Sequence, residues 1–274
     1  MPKAISKQIF RRLWCAMLLL ACVAAMVLGQ SPAVTSDARG VIRLRVKVGD
    51  TKARGLQRKR FFLIKGSLSD NQALVQSIEQ HGFVSRDCYY RGVGASEALI
   101  NWLKQSECES VYCREVEAKD IEGPEAVPEF QQAALLGEKE FGSRELGRKW
   151  LTVNLKDELR SGYYHQQQRD LQTLLKQAEA LSKAPVQSVM TDTNGTAFFT
   201  DLEPGVYMIS NLLPTEVGSN AIIWNCSIEL KPDDLATEKS YLLANLGNKD
   251  PRDKLVKCRS TSEKPLPACP AASK

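Results

Sequence analysis

The chain has 274 residues, 43% of them hydrophobic, and its 37 Lys and Arg against 32 Asp and Glu give a formal charge of +5. Four of the basic groups (Lys3, Lys7, Arg11 and Arg12) fall in the first 29 residues, which hold no acid, so the remainder carries only +1. That balance provides no global attraction to nucleic acid or to an anionic surface, while the apolar share is enough for a proper core in roughly one to two domains.

The basic start and the apolar run from Leu13 to Leu28 have the form of a secretory signal. The run is short for a membrane span, and Val27-Leu28-Gly29 places cleavage before Gln30. Two other fates would keep the chain at a membrane. Leu19-Leu20-Ala21-Cys22 fits a lipidation box at Cys22, and an uncleaved run would serve as an anchor. In each case the bulk of the chain lies outside the cytoplasm, periplasmic or secreted. After the signal six cysteines remain: Cys88, Cys108, Cys113, Cys226, Cys258 and Cys269. An even number in an exported chain implies disulfides, with about fifteen connectivities open. Three cysteines lie in the middle of the chain and three after residue 220, so full pairing needs at least one bridge between the two regions. The chain has no Cys-x-x-Cys pair and no histidine near a cysteine cluster, which argues against zinc.

Val41 to Val48 alternates, with Ile42, Leu44, Val46 and Val48 on one side and Arg43, Arg45 and Lys47 on the other, the pattern of a half-buried strand. A loop rich in Lys and Arg ends at Arg58-Lys59-Arg60, and the apolar run Phe61 to Ile64 predicts a second strand. The six basic residues of these two segments read as a solvated strand face that also guards an edge. From Ser69 the period changes to helical, with Leu74, Val75 and Ile78 in the first segment and Leu99, Ile100, Trp102 and Leu103 in the next. Glu107 to Glu125 holds seven acids against Arg114 and Lys119, so this stretch can dock on the basic strands. Helical segments are predicted at 128–141, 143–151 and 155–164. A stronger one, Gln166 to Lys183, carries Leu171, Leu174, Leu175 and Leu181 and is stopped by Pro185.

Val186 to Met190 returns to strand pattern. Asp192-Thr193-Asn194-Gly195 is a tight turn, Thr196 to Thr200 a strand, Glu203-Pro204-Gly205 a second turn, and Val206 to Leu212 another strand. Ala221 to Leu230 alternates with Ile222, Trp224, Cys226, Ile228 and Leu230 on one face, which makes Trp224 a core residue. Ser240 to Asn245 predicts a last strand, and the tail with Pro251, Pro265, Pro267 and Pro270 reads as irregular.

Asp192, Gly195, Phe199, Leu202, Pro204, Gly205 and Tyr207 follow D-x-x-G-x-F-x-F-x-x-L-x-P-G-x-Y, with Ala197 in place of the first aromatic. The stretch resembles the hairpin of carboxypeptidase-regulatory-like, or transthyretin-like (Cna-B-related), domains of carbohydrate-binding-like fold. The resemblance implies an antiparallel β-sandwich and no particular activity. It also raises a Lys–Asn isopeptide crosslink, with Lys47 or Lys65 and Asn245 as the candidates. The expected fold is therefore α+β, an antiparallel transthyretin-like sandwich interrupted by a large helical insertion. Its parts are a signal at 1–29, first strands at 30–66, the insertion at 67–185, remaining strands at 186–250 and a Cys/Pro-containing tail at 251–274.

His81 and His165 are the two histidines, and the sequence contains no metalloprotease, nucleophile-elbow, phosphate-loop or dinucleotide motif. No catalytic residue, metal site or cofactor is assigned. The aromatics of the insertion, Tyr89, Tyr90, Trp102, Tyr163 and Tyr164 among them, either line a groove or fasten the insertion to the sandwich. The reading is a non-catalytic envelope or extracellular module that binds a protein or carbohydrate of the cell envelope, not nucleic acid. It meets a membrane only if Cys22 is lipidated or the signal is uncleaved. Two alternatives are a glycan-directed hydrolase, with carboxylates in a groove between insertion and sandwich, and a structural envelope assembly component.

Overall fold

A computed structural model describes residues 39–49, 52–105, 108–250 and 256–269. The expected signal, the Cys22 box and Gln30 lie outside the described residues. Strands β1 (Gly40–Val48), β2 (Arg54–Gly55) and β3 (Arg60–Lys65) precede the helices. After them come β4 (Gln187–Met190), β5 (Thr196–Leu202), β6 (Gly205–Ser210), β7 (Thr215–Val217), β8 (Asn220–Ile223), β9 (Asn225–Leu230) and β10 (Glu238–Ala244), and then β11 (Val256–Arg259) and β12 (Ser262–Pro265). Strands from before residue 67 and after 186 join in the same sheets. β1 pairs with β5 and β10, and β3 pairs with β4 and β6.

One sheet runs β11-β10-β1-β2, with β5 also on β1; a second runs β4-β3-β6-β9; a third, smaller one runs β12-β8-β7. Pairing is antiparallel except for β1 with β10 and β10 with β11, so the first sheet is mixed. The parallel pairing is open to β1 and β10 because they lie far apart in the chain and need no tight hairpin. The alternation read in β1 is fully realised, with Ile42, Leu44 and Val46 inaccessible to solvent beneath the outward Arg43, Arg45 and Lys47.

The run Phe61 to Ile64 is buried on both faces for a topological reason. Phe61 and Leu63 face the sandwich interior, while Phe62 and Ile64 face helices laid over the outside of the second sheet. Those covering helices are α1 (Gln72–Gln80), through Leu74 and Ile78, and a long helix at Tyr163–Ser182, through Leu171, Leu174 and Ala178. Between them α2 (Arg86–Gly92), α3 (Glu97–Gln105), α4 (Ala118–Ile121), α5 (Pro128–Phe141) and α6 (Arg144–Lys149) enclose a separate core around Tyr90, Trp102 and Phe130. The long helix is α7. Gly147 permits the close crossing of α5 and α6, since a Cβ there would run into the Glu138 backbone.

Several local expectations change. α1 begins at Gln72 instead of Ser69, because Ser69 is drawn into a hydroxyl contact with Ser67 (2.7 Å) before the helix starts. α2 forms between the first two helical segments, in a stretch without helical periodicity; Ser85 caps it by accepting from the Cys88 N–H at 3.3 Å. The helix expected over 155–164 is present from Glu158, wound as a π-helix over Glu158–Gly162, and is continuous with α7 instead of separate from it. The strand expected over 221–230 breaks at Trp224, whose N–H donates to Asn211 Oδ1 (2.9 Å) and so leaves the ladder. The tail supplies β11 and β12, which lack an apolar alternation and attach through the backbone edges of β10 and β8.

The Asp192–Gly195 turn docks across β1. The Val46 N–H donates to the Gly195 carbonyl at 2.7 Å, and Gly195 has φ +75 with the Val46 carbonyl where a Cβ would stand. Three disulfides join Cys88 to Cys269, Cys108 to Cys113, and Cys226 to Cys258. The first is the bridge between the middle and late regions that parity required. Among the described residues no helix is long and apolar enough to cross a membrane.

Candidate functional site

A groove of about 260 Å³ opens where the insertion meets the outer face of the second sheet. Its floor is Phe62 and Met190 from neighbouring strands, with Leu171 and Leu213. One wall is the start of α7 (Tyr163, Tyr164, Gln167 and Gln168), and the facing wall comes from Arg86, Lys104 and Glu109 of the insertion. Thr215 and Glu216 of β7 also line it, as do Arg58, Lys59 and Arg60. Arg60 and Met190 share this face because they are directly opposed in the β3–β4 ladder.

The buried polar groups of the groove brace one another. Lys59 Nζ, almost fully buried, meets Glu109 Oε1 at 2.6 Å, so the acidic segment of the insertion does reach the basic strands, at Lys59. Arg58 adds a bond to the Cys113 carbonyl at 2.9 Å. Glu216 Oε1 accepts from the Arg86 backbone N–H and from the Tyr163 hydroxyl at 3.1 Å; that hydroxyl accepts in turn from Gln167 Nε2 at 2.6 Å. Burial, joined by the nearby Glu216 charge, pushes the Tyr163 phenol well above its ordinary range, so it stays a neutral donor.

Behind this wall Asp87 meets Lys104 Nζ at 2.7 Å and Arg86 Nη2 at 3.1 Å. Burial works to raise the Asp87 carboxyl, but Lys104 and Arg86 together outweigh it and leave the group below its usual range. A carboxyl whose folded pKa lies below its unfolded value, near about 3.9, stabilises above that pH and loses this contribution as pH falls through the folded value. Asp87→Asn is therefore expected to flatten the acid limb of a stability–pH curve below about pH 4, as measured by denaturant titration. An acid limb identical to the parent's would show that the pairing contributes nothing.

Of the five expected aromatics, Tyr163 and Tyr164 line this groove. Tyr90 and Trp102 are buried in the core of the insertion. Tyr90 donates to the Glu109 carbonyl at 3.3 Å, and Trp102 lies edge-on to Phe130 with the Arg114 guanidinium 4.0 Å above it. Tyr89 is half-buried against Tyr90 and Tyr163. The basic residues divide in two. Arg58, Lys59 and Arg60 reach the groove, whereas Arg43, Arg45 and Lys47 lie on the outer face of the first sheet, where Arg43 pairs with Glu238 at 3.3 Å. Asn245 accepts from the Gly49 N–H, and Lys65 stands 3.9 Å from Glu203, so each has a non-covalent partner. Glu216 and Gln167 escaped the sequence reading, because a lone Glu in a three-residue strand and a Gln in a polar helix carry no signal of their own. Among the described residues no cluster of His, Cys, Asp and Glu could hold a metal ion.

No protein-family model matches the chain, and no curated protein matches it. Two solved structures are similar to it in part. One is the fimbrial protein FimP from Actonomyces oris, with 13% identity over 75% of this chain and 28% of that one at a TM-score of 0.25. The other is the pilus backbone protein RrgB from Streptococcus pneumoniae, with 10% identity over 70% of this chain and 34% of that one at 0.22. The chain thus spans about a third of their length or less, and a superposition this loose transfers nothing to it.

Proposed function

We propose that this is an exported, disulfide-locked module that binds another envelope protein in the groove between its helical insertion and its sandwich. One observation carries the reading. Glu109 and Glu216, the two carboxylates facing the groove, are both held as braces between insertion and sheet, one by Lys59 and the other by Arg86 and Tyr163. Each uses its Oε1 to fasten the insertion to the sheet, so the groove is held pre-formed, as a binding recess requires. The three disulfides fit an oxidising compartment, and they stiffen a binding face.

A photo-crosslinking residue placed at Gln168, in the groove, is compared with one at Leu135, exposed on α5 outside it. Cells producing the full chain are expected to give a discrete adduct from the groove position alone, and Leu213→Trp, which fills the floor, should remove it. Adducts of equal yield from both positions would sink the groove as the binding face. Turnover of any glycan, abolished by Glu109→Gln or Glu216→Gln, would replace the binding module with a hydrolase.

A further inference from the structure

The lining of this groove has an uneven charge. Five cations (Arg58, Lys59, Arg60, Arg86 and Lys104) face two carboxylates, Glu109 and Glu216. Lys59 is matched by Glu109, and Arg86 and Lys104 share Asp87 behind the wall. Glu216 is satisfied by neutral donors. The excess positive charge is left on Arg58, whose guanidinium reaches only the neutral Cys113 carbonyl, and on Arg60, whose guanidinium has no ion pair or hydrogen bond among the described residues. Both are exposed, as is Met190 beside Arg60, and Phe62, Leu171 and Leu213 supply the rest of the apolar lining.

We infer that the groove receives an acidic polypeptide segment of the partner, its carboxylates on Arg58 and Arg60 and one apolar side chain on the floor. The inference rests on the binding function proposed above and names the ligand chemistry. Charge complementarity selects the acidic partner, because two forked guanidinium groups at a rim favour carboxylates and steer their approach. The floor selects polypeptide, since a chain of alternating acidic and apolar side chains fills both parts at once and an anionic glycan leaves the apolar floor unfilled.

The probe is a fluorescent Glu-Glu-Leu-Glu-Glu peptide, titrated against the mature full chain and read by anisotropy. Binding is expected, weakened about tenfold by Arg60→Glu and also on raising salt from about 0.1 M to about 0.5 M. Arg45→Glu, on the outer face of the first sheet, should leave it unchanged, and so should its circular dichroism and melting relative to the parent. Replacing the central Leu by Ser should weaken binding, and unchanged affinity would overturn the seating of an apolar side chain in the groove. No binding of the peptide, or equal loss from Arg45→Glu and Arg60→Glu, overturns the inference. Tighter binding to anionic phospholipid vesicles or to heparin than to the peptide overturns it in favour of those ligands. If the Gln168 adduct forms while the peptide fails to bind, the binding function stands and only the acidic ligand falls.

Discussion

Trp224→Ala is expected to destabilise the protein by about 3–5 kcal/mol, the range for deleting a large aromatic side chain from a packed core. The indole is inaccessible to solvent and lies 5.8 Å from the Phe61 ring across the sandwich interior. Its Nε1–H donates to the Ala244 carbonyl at 3.1 Å, tying the break between β8 and β9 to the end of β10. The substitution therefore leaves a cavity where the two principal sheets are held to each other, and it removes one of two hydrogen bonds to the Ala244 carbonyl, which still accepts from the Ser260 N–H at 2.8 Å. Thermal unfolding followed by circular dichroism should show the midpoint lowered by roughly 10 °C for a chain of this length. Trp224→Phe keeps most of the buried area and loses the hydrogen bond, so about 1–2 kcal/mol is expected for it. Equal effects from the two variants would mean that packing around the indole contributes little, contrary to its burial.

The second large effect is removal of the Cys88–Cys269 disulfide. The two residues are 181 apart in sequence, with Cα atoms 4.9 Å apart, well inside the span a disulfide bridges. In the loop-entropy account a crosslink of this span is worth about 5 kcal/mol, against about 4 for Cys226–Cys258 and about 2 for Cys108–Cys113. Paired Cys→Ser variants are expected to lose stability in that order, in denaturant titrations of the oxidised proteins. Trypsin should also cut after Arg259 sooner without the Cys88–Cys269 bridge, because beyond Cys258, which the Cys226–Cys258 bridge still anchors, β12 is held on β8 by its backbone ladder. A larger loss from the Cys108–Cys113 variant than from the Cys88–Cys269 variant would show that local packing, and not chain crosslinking, sets the cost.

Legibility in the sequence followed the range of the interaction. β1 was readable because its one-sided burial prints a period of two directly on the residues, and Trp224 was placed in the core by the same alternation. The Asp192–Gly195 turn was readable because a positive φ beside a close backbone leaves room for glycine and little else. α2 was not, since its seven residues are helical by virtue of the Ser85 cap and the packing of Tyr90. The strands β11 and β12 were not either, because pairing on an existing edge needs no side-chain pattern.

The groove was visible only in fragments. Arg58, Lys59 and Arg60 drew notice as charges, but their division from Arg43, Arg45 and Lys47 follows from which face of which sheet each strand presents. Tyr163 was flagged as an aromatic, and its role as a neutral donor between Gln167 and Glu216 depends on a strand that lies some fifty residues away.

The sequence by itself determined the strand-rich frame, the long helical detour inside it and the need for a crosslink between middle and late cysteines, because periodicity, turn chemistry and parity are local or countable. Tertiary structure alone decided the parallel β1–β10 pairing, which cysteines meet, and which of the many charges are left over at the mouth of the groove. Those outcomes rest on contacts between distant segments, whose free energy depends on mutual placement and leaves no periodic trace in the chain.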